Sequence, residues 1–303
     1  MPPFIIYNID IYLGWFMKIK KYLVRPKEKI NLKKVPTYYE GNLTKEEVYS
    51  TLLPENIKKM EELQARLYAE NKQGLLIVLQ AMDAAGKDSL IKRIMTGLNP
   101  QGTHVASFKV PTYLDLDHDY LYRIHAEIPA RGDIGIFNRS HYEDVIVTRV
   151  HNLVESQPLP DHLINTEIWN RRFEEINNFE EYLSDNGIAV VKFFLHVSKE
   201  EQKCRLLERL ENPEKHWKFS QSDILERQYW DKYHECYEDV LEKTSTDKCP
   251  WYVVPADRKW FSRYLVSSVI LEKLEEMNPK YPKLTKTQEE NLSKWKEVLE
   301  SSN

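Results

Sequence analysis

Residues 75–89 read LLIVLQAMDAAGKDS, and this stretch decides the fold. Five branched apolar residues (75–79) follow Gly74 and lead into the small residues Ala84, Ala85 and Gly86, with Lys87 next. An apolar run of this length predicts a strand buried on both faces, as in a parallel sheet. The small residues let backbone approach a ligand closely, and 88–98 has helical composition. Strand, tight loop and helix in that order point the first helical amides, with Lys87 beside them, at one spot. Such a spot suits phosphate, because the donors are fixed and the helix dipole favours negative charge.

The loop departs from the usual P-loop pattern, Gly-x-x-x-x-Gly-Lys-Ser/Thr, at two positions. Ala81 stands at the first glycine position and Asp88 at the hydroxyl position. Loss of the hydroxyl removes one customary magnesium ligand, and Asp83 is the oxygen donor available to replace it. Ala84, Ala85, Gly86, Asp88 and Ser89 complete the candidate phosphate cradle. The alternative is an ordinary strand-turn-helix with a solvated lysine.

Outward from this unit, strands and helices alternate. Upstream, Pro54 opens a helix with Ile57, Met60, Leu63 and Leu67 on one face, and Gly74 closes the turn after it. Thr44 with Glu47 predicts a capping box ahead of that helix. Downstream, strands are expected at 103–110, 134–137, 188–197 and 251–254. Helices are expected at 118–128, 161–186, from Ser198 to near Pro213, from Ser220, and at 258–277. Tyr229, Tyr233 and Tyr237 recur at helical spacing between Leu225 and Leu241, a core stripe rather than a binding one. The expected architecture is a five-stranded parallel sheet covered on both faces, α/β/α. Residues 1–53 form an arm and short helix, 54–277 the body with a lid at about 199–225, and 278–303 a polar tail.

The chain has 303 residues, 42% hydrophobic and 30% charged, which suits a globular protein and argues against extensive disorder. A net charge of −4 supplies no global basic field for nucleic acid, so any polyanion site must be a local concentration of Lys and Arg. Cys204, Cys236 and Cys249 are odd in number and scattered, without metal-ligand spacing; they predict free thiols in a reducing, cytoplasmic compartment. The first sixteen residues, MPPFIIYNIDIYLGWF, lack a basic leader and a small-residue cleavage site, and are too short to span a bilayer. Met17 is a candidate alternative start; otherwise the segment is a hydrophobic arm for self-association.

In parallel sheets, ligands bind beyond the carboxyl ends of the strands. That rule gathers Asp83 and Lys87 from the first strand and Lys109, Pro111 and Thr112 from the second. From the third it gathers Asn138, Arg139, His141, Tyr142, Glu143 and Asp144. Arg139 is a planar, permanently charged fork suited to phosphoryl oxygens, the alternative being a structural ion pair. Glu143 and Asp144 also suit a solvated helix start, and for Asp144 that is the favoured reading. Arg205, Arg209, Lys215, His216 and Lys218 form the local basic concentration, placed as a lid that closes over phosphates. Lys92, Arg93, Arg123 and Arg131 are expected to extend the row of cations.

Several long motifs resemble the second polyphosphate kinase family. They are GLLIVLQAMDAAGKDSLIKRIMTGLNPQGTHVASFKVPT, HDYLYRIHAEIPARGDIGIFNRSHYEDV, the ERLENPEKHWKFSQSD segment and PWYVVPADRKWF. The resemblance runs from about residue 18 to about 277, and the Ser-His-Tyr-Glu-Asp form is similar to the class III branch, which implies acceptance of both AMP and ADP. It implies that Asp83 is the loop aspartate and metal ligand, Lys87 the loop lysine, and Arg139 the arginine after the third strand. It makes Glu143 the acid that tunes the acceptor, and Arg205 and Arg209 lid arginines. Asn138 stands where many members have Asp, which puts direct metal ligation there in doubt.

The expected activity is therefore transfer of the terminal phosphoryl group of inorganic polyphosphate to AMP or ADP by a magnesium-dependent P-loop kinase, a homo-oligomer acting on neither nucleic acid nor membrane. Asp83, Lys87, Arg139, Glu143 and Arg205 are its expected catalytic set. The alternatives are an ATP-dependent nucleoside monophosphate kinase on the same fold and a non-catalytic nucleotide-binding module.

Overall fold

The computed structural model describes residues 19–302; the apolar segment 1–16 and Met17 lie outside the described residues. The body is a six-stranded sheet of β1 (Leu23–Val24), β2 (Gly74–Ala81), β3 (Thr103–Ser107), β4 (Ile134–Asn138), β5 (Ile188–His196) and β6 (Trp251–Pro255). Strand order is β1-β6-β5-β2-β4-β3. Five strands are parallel, as expected from the alternation with helices. The sixth, β1, runs antiparallel against β6 and corrects the five-stranded expectation. At two residues, inside a charged stretch punctuated by Pro26 and Pro36, it carries no alternation that a sequence reading detects.

Three long helices cover one face: α1 (Leu53–Glu70), α2 (Lys87–Ile94) and α6 (Lys259–Met277). The other face carries α3 (Ile168–Asp185) and α5 (Trp230–Thr244). All eight residues of β2 are buried, which is why its sequence is continuously apolar up to Gln80. The Tyr stripe behaves as core: Tyr233 and Tyr237 are buried, and Tyr237 packs on Phe194 of β5.

Local signals shift some boundaries. Asn71, not Gly74, takes the left-handed position that ends α1, because Asn tolerates φ +52 while Gly74 already pairs in the sheet. The helix expected at 118–128 is only the short turn Tyr122–Ala126, preceded by another, Tyr113–Leu116, which a Thr112/Asp115 capping box opens. Ser198 caps α4 (Lys199–Glu211) by accepting from the Glu201 amide. Ser220 makes no such cap on the short helix Gln221–Leu225; its hydroxyl pairs with that of Ser222 at 2.6 Å instead. The tail beyond 278 carries α7 (Lys286–Ser301), which is exposed along its length.

The chain passes from β2 out to β3, returns to insert β4 between them, and then crosses to β5 on the far side of β2. The segment after β2 leads to the α1/α6 face and the segment after β4 leads toward α3, so a crevice opens at the carboxyl ends of β2 and β4. Ligands bind at such switch points.

Candidate active site

Register places the two key segments side by side: Leu79 of β2 pairs with Asn138 of β4, and Arg139 N–H continues the ladder to Leu79 O at 3.1 Å. Arg139 then turns into the left-handed region (φ +64), as does Ala84 in the loop after β2 (φ +58). Neither is Gly or Asn, and held strain of this kind concentrates at functional sites. The turn swings the Arg139 guanidinium toward Asp83, with Nη2 donating to Oδ1 at 3.1 Å. On its other side Arg139 Nη1 stands 3.9 Å from Glu143 Oε2.

Lys87 sits at the first position of α2 and donates to Ala81 O at 3.1 Å across the loop. Burial, reinforced by the Arg139 charge, pulls its pKa below the ordinary lysine value. For Arg139 burial opposes the charge, but Glu143 and Asp83 outweigh it and raise its pKa. Burial raises the Glu143 carboxyl against the opposing pull of Arg139 and Lys87. Asp83, Lys87, Arg139 and Glu143 thus form one coupled cluster, as their sequence positions predict.

This cluster opens on a cleft of about 750 Å³, lined by Ala84, Ala85, Gly86, Asp88, Ser89, Lys109, Asn138, Arg209, Lys215, Trp217, Lys218 and Lys259 among others. Asp88, at the usual hydroxyl position, accepts from Asn138 Nδ2 at 3.1 Å and lies 3.7 Å from Lys218 Nζ. Arg209 donates to Asp223 Oδ2 at 2.6 Å, and Lys215 pairs with Glu208, so much of the basic segment 205–218 is matched by nearby acids.

Four expected cations stand elsewhere. Arg131 lies before β4 and donates to Asn186 O ahead of β5, which puts it at the amino ends of the strands, opposite the crevice. Its place in sequence explains this: in a parallel sheet, residues before and after a strand lie at opposite ends. Arg93 faces the Tyr49 ring on the outer side of α2, and Lys92 is solvent-exposed outside the cleft lining. Arg123 donates to Lys109 O at 2.6 Å and borders an adjoining cavity rather than the cleft itself.

Arg205 lines the cleft, as expected, but its donors are already engaged. It is 6% exposed, and its five N–H groups meet Glu201 Oε1 (2.8 Å), Ala84 O (3.1 Å), Ala85 O (2.6 Å), Ala256 O (2.6 Å) and Asp257 O (3.1 Å). It braces the phosphate loop from below. Lys259, at the start of α6, and Gln202, on α4, are two site residues that sequence reasoning missed. For Lys259 a signal existed, since it follows β6 and the strand-end rule covers it. For Gln202 there was none, as a glutamine within a polar helix carries no mark of burial.

Behind the cluster, Glu180 of α3 accepts from Tyr142 (2.8 Å) and His141 (3.2 Å) and pairs with Lys192 of β5, all of them buried. Lys192 also donates to Tyr142 Oη at 3.0 Å and Thr244 O at 2.6 Å. This network anchors the segment that carries Glu143.

The family model for polyphosphate kinase 2 matches residues 43–282. The chain belongs to the polyphosphate kinase 2 family. An ADP-polyphosphate phosphotransferase of Rhodopseudomonas palustris is 43% identical over 285 residues, 93% of this chain and 99% of that protein. An AMP/ADP-polyphosphate phosphotransferase of Meiothermus ruber is 46% identical over 268 residues, 87% of this chain and 96% of that one. The crystal structure of polyphosphate kinase 2 from Arthrobacter aurescens superposes with TM-score 0.81 at 37% identity, covering 92% of this chain and 95% of that one. Among the described residues, no helix is long and apolar enough to cross a membrane, and all three cysteines are free.

Proposed function

We propose that this polyphosphate kinase 2 family chain transfers the terminal phosphoryl group of inorganic polyphosphate to AMP or ADP, reversibly. The observation that carries the proposal is the Asp83–Arg139 contact, with Lys87 beside it, in a cleft also lined by Lys109, Lys218, Arg209 and Lys259. A linked chain of phosphates needs several cations, and these line one cleft. An adjoining cavity of about 250 Å³ shares Phe108, Lys109, Val110 and Arg139 with the cleft and adds Leu116, Val147, Leu153 and Glu143. Its more apolar wall suits the acceptor nucleoside, whose phosphate then meets Arg139 from the side opposite the donor.

A divalent cation, when bound, would offset the charge of the phosphate oxygens in phosphoryl transfer of this kind. The residues fit magnesium: Asp83 and Asp88 both line one cleft, so carboxylate oxygens are available there. Magnesium typically takes one or two carboxylates and completes its shell with water and substrate phosphate. Asp83 would hold it. Arg139 and Lys87 bind phosphoryl oxygens and stabilise the charge spread over them, while the loop amides orient the chain. We further propose a cytoplasmic homo-oligomer without nucleic-acid or membrane partners, whose catalytic body is 54–277.

The test is purified protein with magnesium, polyphosphate and AMP, resolving ADP and ATP over time, against parallel reactions with ATP as sole donor. Polyphosphate-dependent formation of ADP and then ATP is expected. Turnover with ATP alone would assign the chain to nucleoside monophosphate kinases, and binding without turnover to nucleotide-sensing modules.

A further inference from the structure

Three consecutive peptide carbonyls of the phosphate loop face α4. Asp83 O accepts from Gln202 Nε2 at 3.0 Å, and Ala84 O and Ala85 O accept from Arg205 Nη1. Gln202 is 1% exposed, so its amide has no water to turn to. Its orientation is set from behind: Arg227 Nη1 approaches Oε1 at 2.6 Å, and a guanidinium only donates. The amide oxygen must therefore face Arg227 and the NH₂ must face Asp83. With these carbonyls drawn to α4, the loop is clamped while Ala84 sits in the left-handed region and the Ala85 amide closes a turn onto Met82 O at 3.3 Å.

We propose that Gln202 is a positioning residue for phosphoryl transfer, fixing the Asp83 peptide so that its carboxylate stays on Arg139. The inference rests on the transfer reaction proposed above. Gln202 touches no reacting atom; it acts through Asp83. Arg227 lies just past the short helix Gln221–Leu225, so the relay from Arg227 through Gln202 to Asp83 ties the chain leaving the lid to the phosphate loop. A displaced loop aspartate costs rate far more than acceptor binding, because alignment matters in the transition state.

The test begins with a measurement that needs no turnover. Hydrogen exchange of the Ala85 amide, which donates to Met82 O at 3.3 Å, is followed in substrate-free wild type, Gln202→Leu and Gln202→Glu. Leucine removes both polar ends; glutamate keeps the Arg227 pair, which holds it ionised, but offers no N–H to Asp83. Both variants are expected to exchange the Ala85 amide at least tenfold faster than wild type, with β2 amides unchanged. Both are expected to lose at least tenfold in kcat while KM for AMP moves less than threefold. Gln202→Glu matching wild type in exchange and kcat overturns the inference, since a residue that only anchors Arg227 is satisfied by glutamate. Faster exchange spread equally through β2 also overturns it, as the mark of general destabilisation. If wild type shows no polyphosphate-dependent turnover while the exchange pattern appears, the reaction is wrong and the loop clamp is supported.

Discussion

Arg139 donates to Asp83 Oδ1 at 3.1 Å, joining the end of β4 to the loop after β2. Asp83 is about one quarter exposed and Arg139 less than half, so the pair faces the cleft rather than the core. An ion pair this open contributes little to stability, on the order of 1 kcal/mol or less. On the proposed function, its value would lie in holding two opposite charges beside the phosphoryl group.

Because the two side chains act as a unit, their losses should not multiply. Asp83→Asn and Arg139→Lys are each expected to lower kcat by about 10²–10³. The double variant should fall to about the level of the worse single one. Steady-state rates with polyphosphate and AMP across the four proteins check this; fully multiplicative losses would show that the residues serve separate steps.

The left-handed backbone at Arg139 makes a second, independent prediction. A Cβ at φ +64 is strained, and glycine relieves that strain. Arg139→Gly should therefore be more stable than Arg139→Ala by about 1 kcal/mol, although both are inactive. Urea unfolding of the two variants measures it. An alanine variant at least as stable as the glycine one would mean that surrounding contacts, not strain, set this turn.

How much of this was legible in the chain follows from what each feature needs. β2 and its loop needed only a buried strand and small residues, both local, so the reading placed Asp83, Lys87 and Arg139 together. β1 is two residues whose pairing with β6 is made some 230 positions away, as the Leu23–Tyr252 register shows, and local pattern cannot see that. Arg131 is misplaced and Arg205 is incompletely read, for different reasons. The first sits at the wrong end of a strand, which the strand-end rule would have excluded. The second is spent on main-chain carbonyls, and charge patterning assumes that arginines face solvent or ligand. Gln202 and the buried Glu180–Lys192 pair depend wholly on tertiary context.

That buried pair is an electrostatic liability of the fold. Glu180 is held below the usual carboxyl pKa: burial pushes it up, but Lys192 and His141 outweigh burial. Lys192→Met leaves a buried, uncompensated carboxylate and should cost about 3–5 kcal/mol at pH 7. In wild type a depressed carboxyl pKa gives stability that is present above the unfolded value near 4.5 and lost as pH falls through the folded value. Without the lysine, burial raises the Glu180 pKa instead, so the deficit should narrow as the pH is lowered. Adding Glu180→Leu should recover more than half of it. Denaturant unfolding of the single and double variants decides; no recovery would mean that the lysine stem, not the charge, supplies the stability.

His234 on α5 makes the last prediction. It is buried between Trp230 and His196, and among the described residues neither ring nitrogen has a hydrogen-bond partner. Burial, with His196 adding to it, pulls its pKa down to about 4. The unfolded chain takes up this proton near 6.5 and the folded one only near 4. Between those values the unfolded state binds more protons, so stability from this residue is lost as pH falls through the window. His234→Phe removes both the orphaned nitrogens and the titration. It should be more stable than wild type at pH 7, and its advantage should grow as pH falls, by up to roughly 3 kcal/mol at pH 4. Comparing the pair at pH 7, 6 and 5 tests the sign: an advantage that stays constant would show that the ring is protonated, or solvated, in the folded protein.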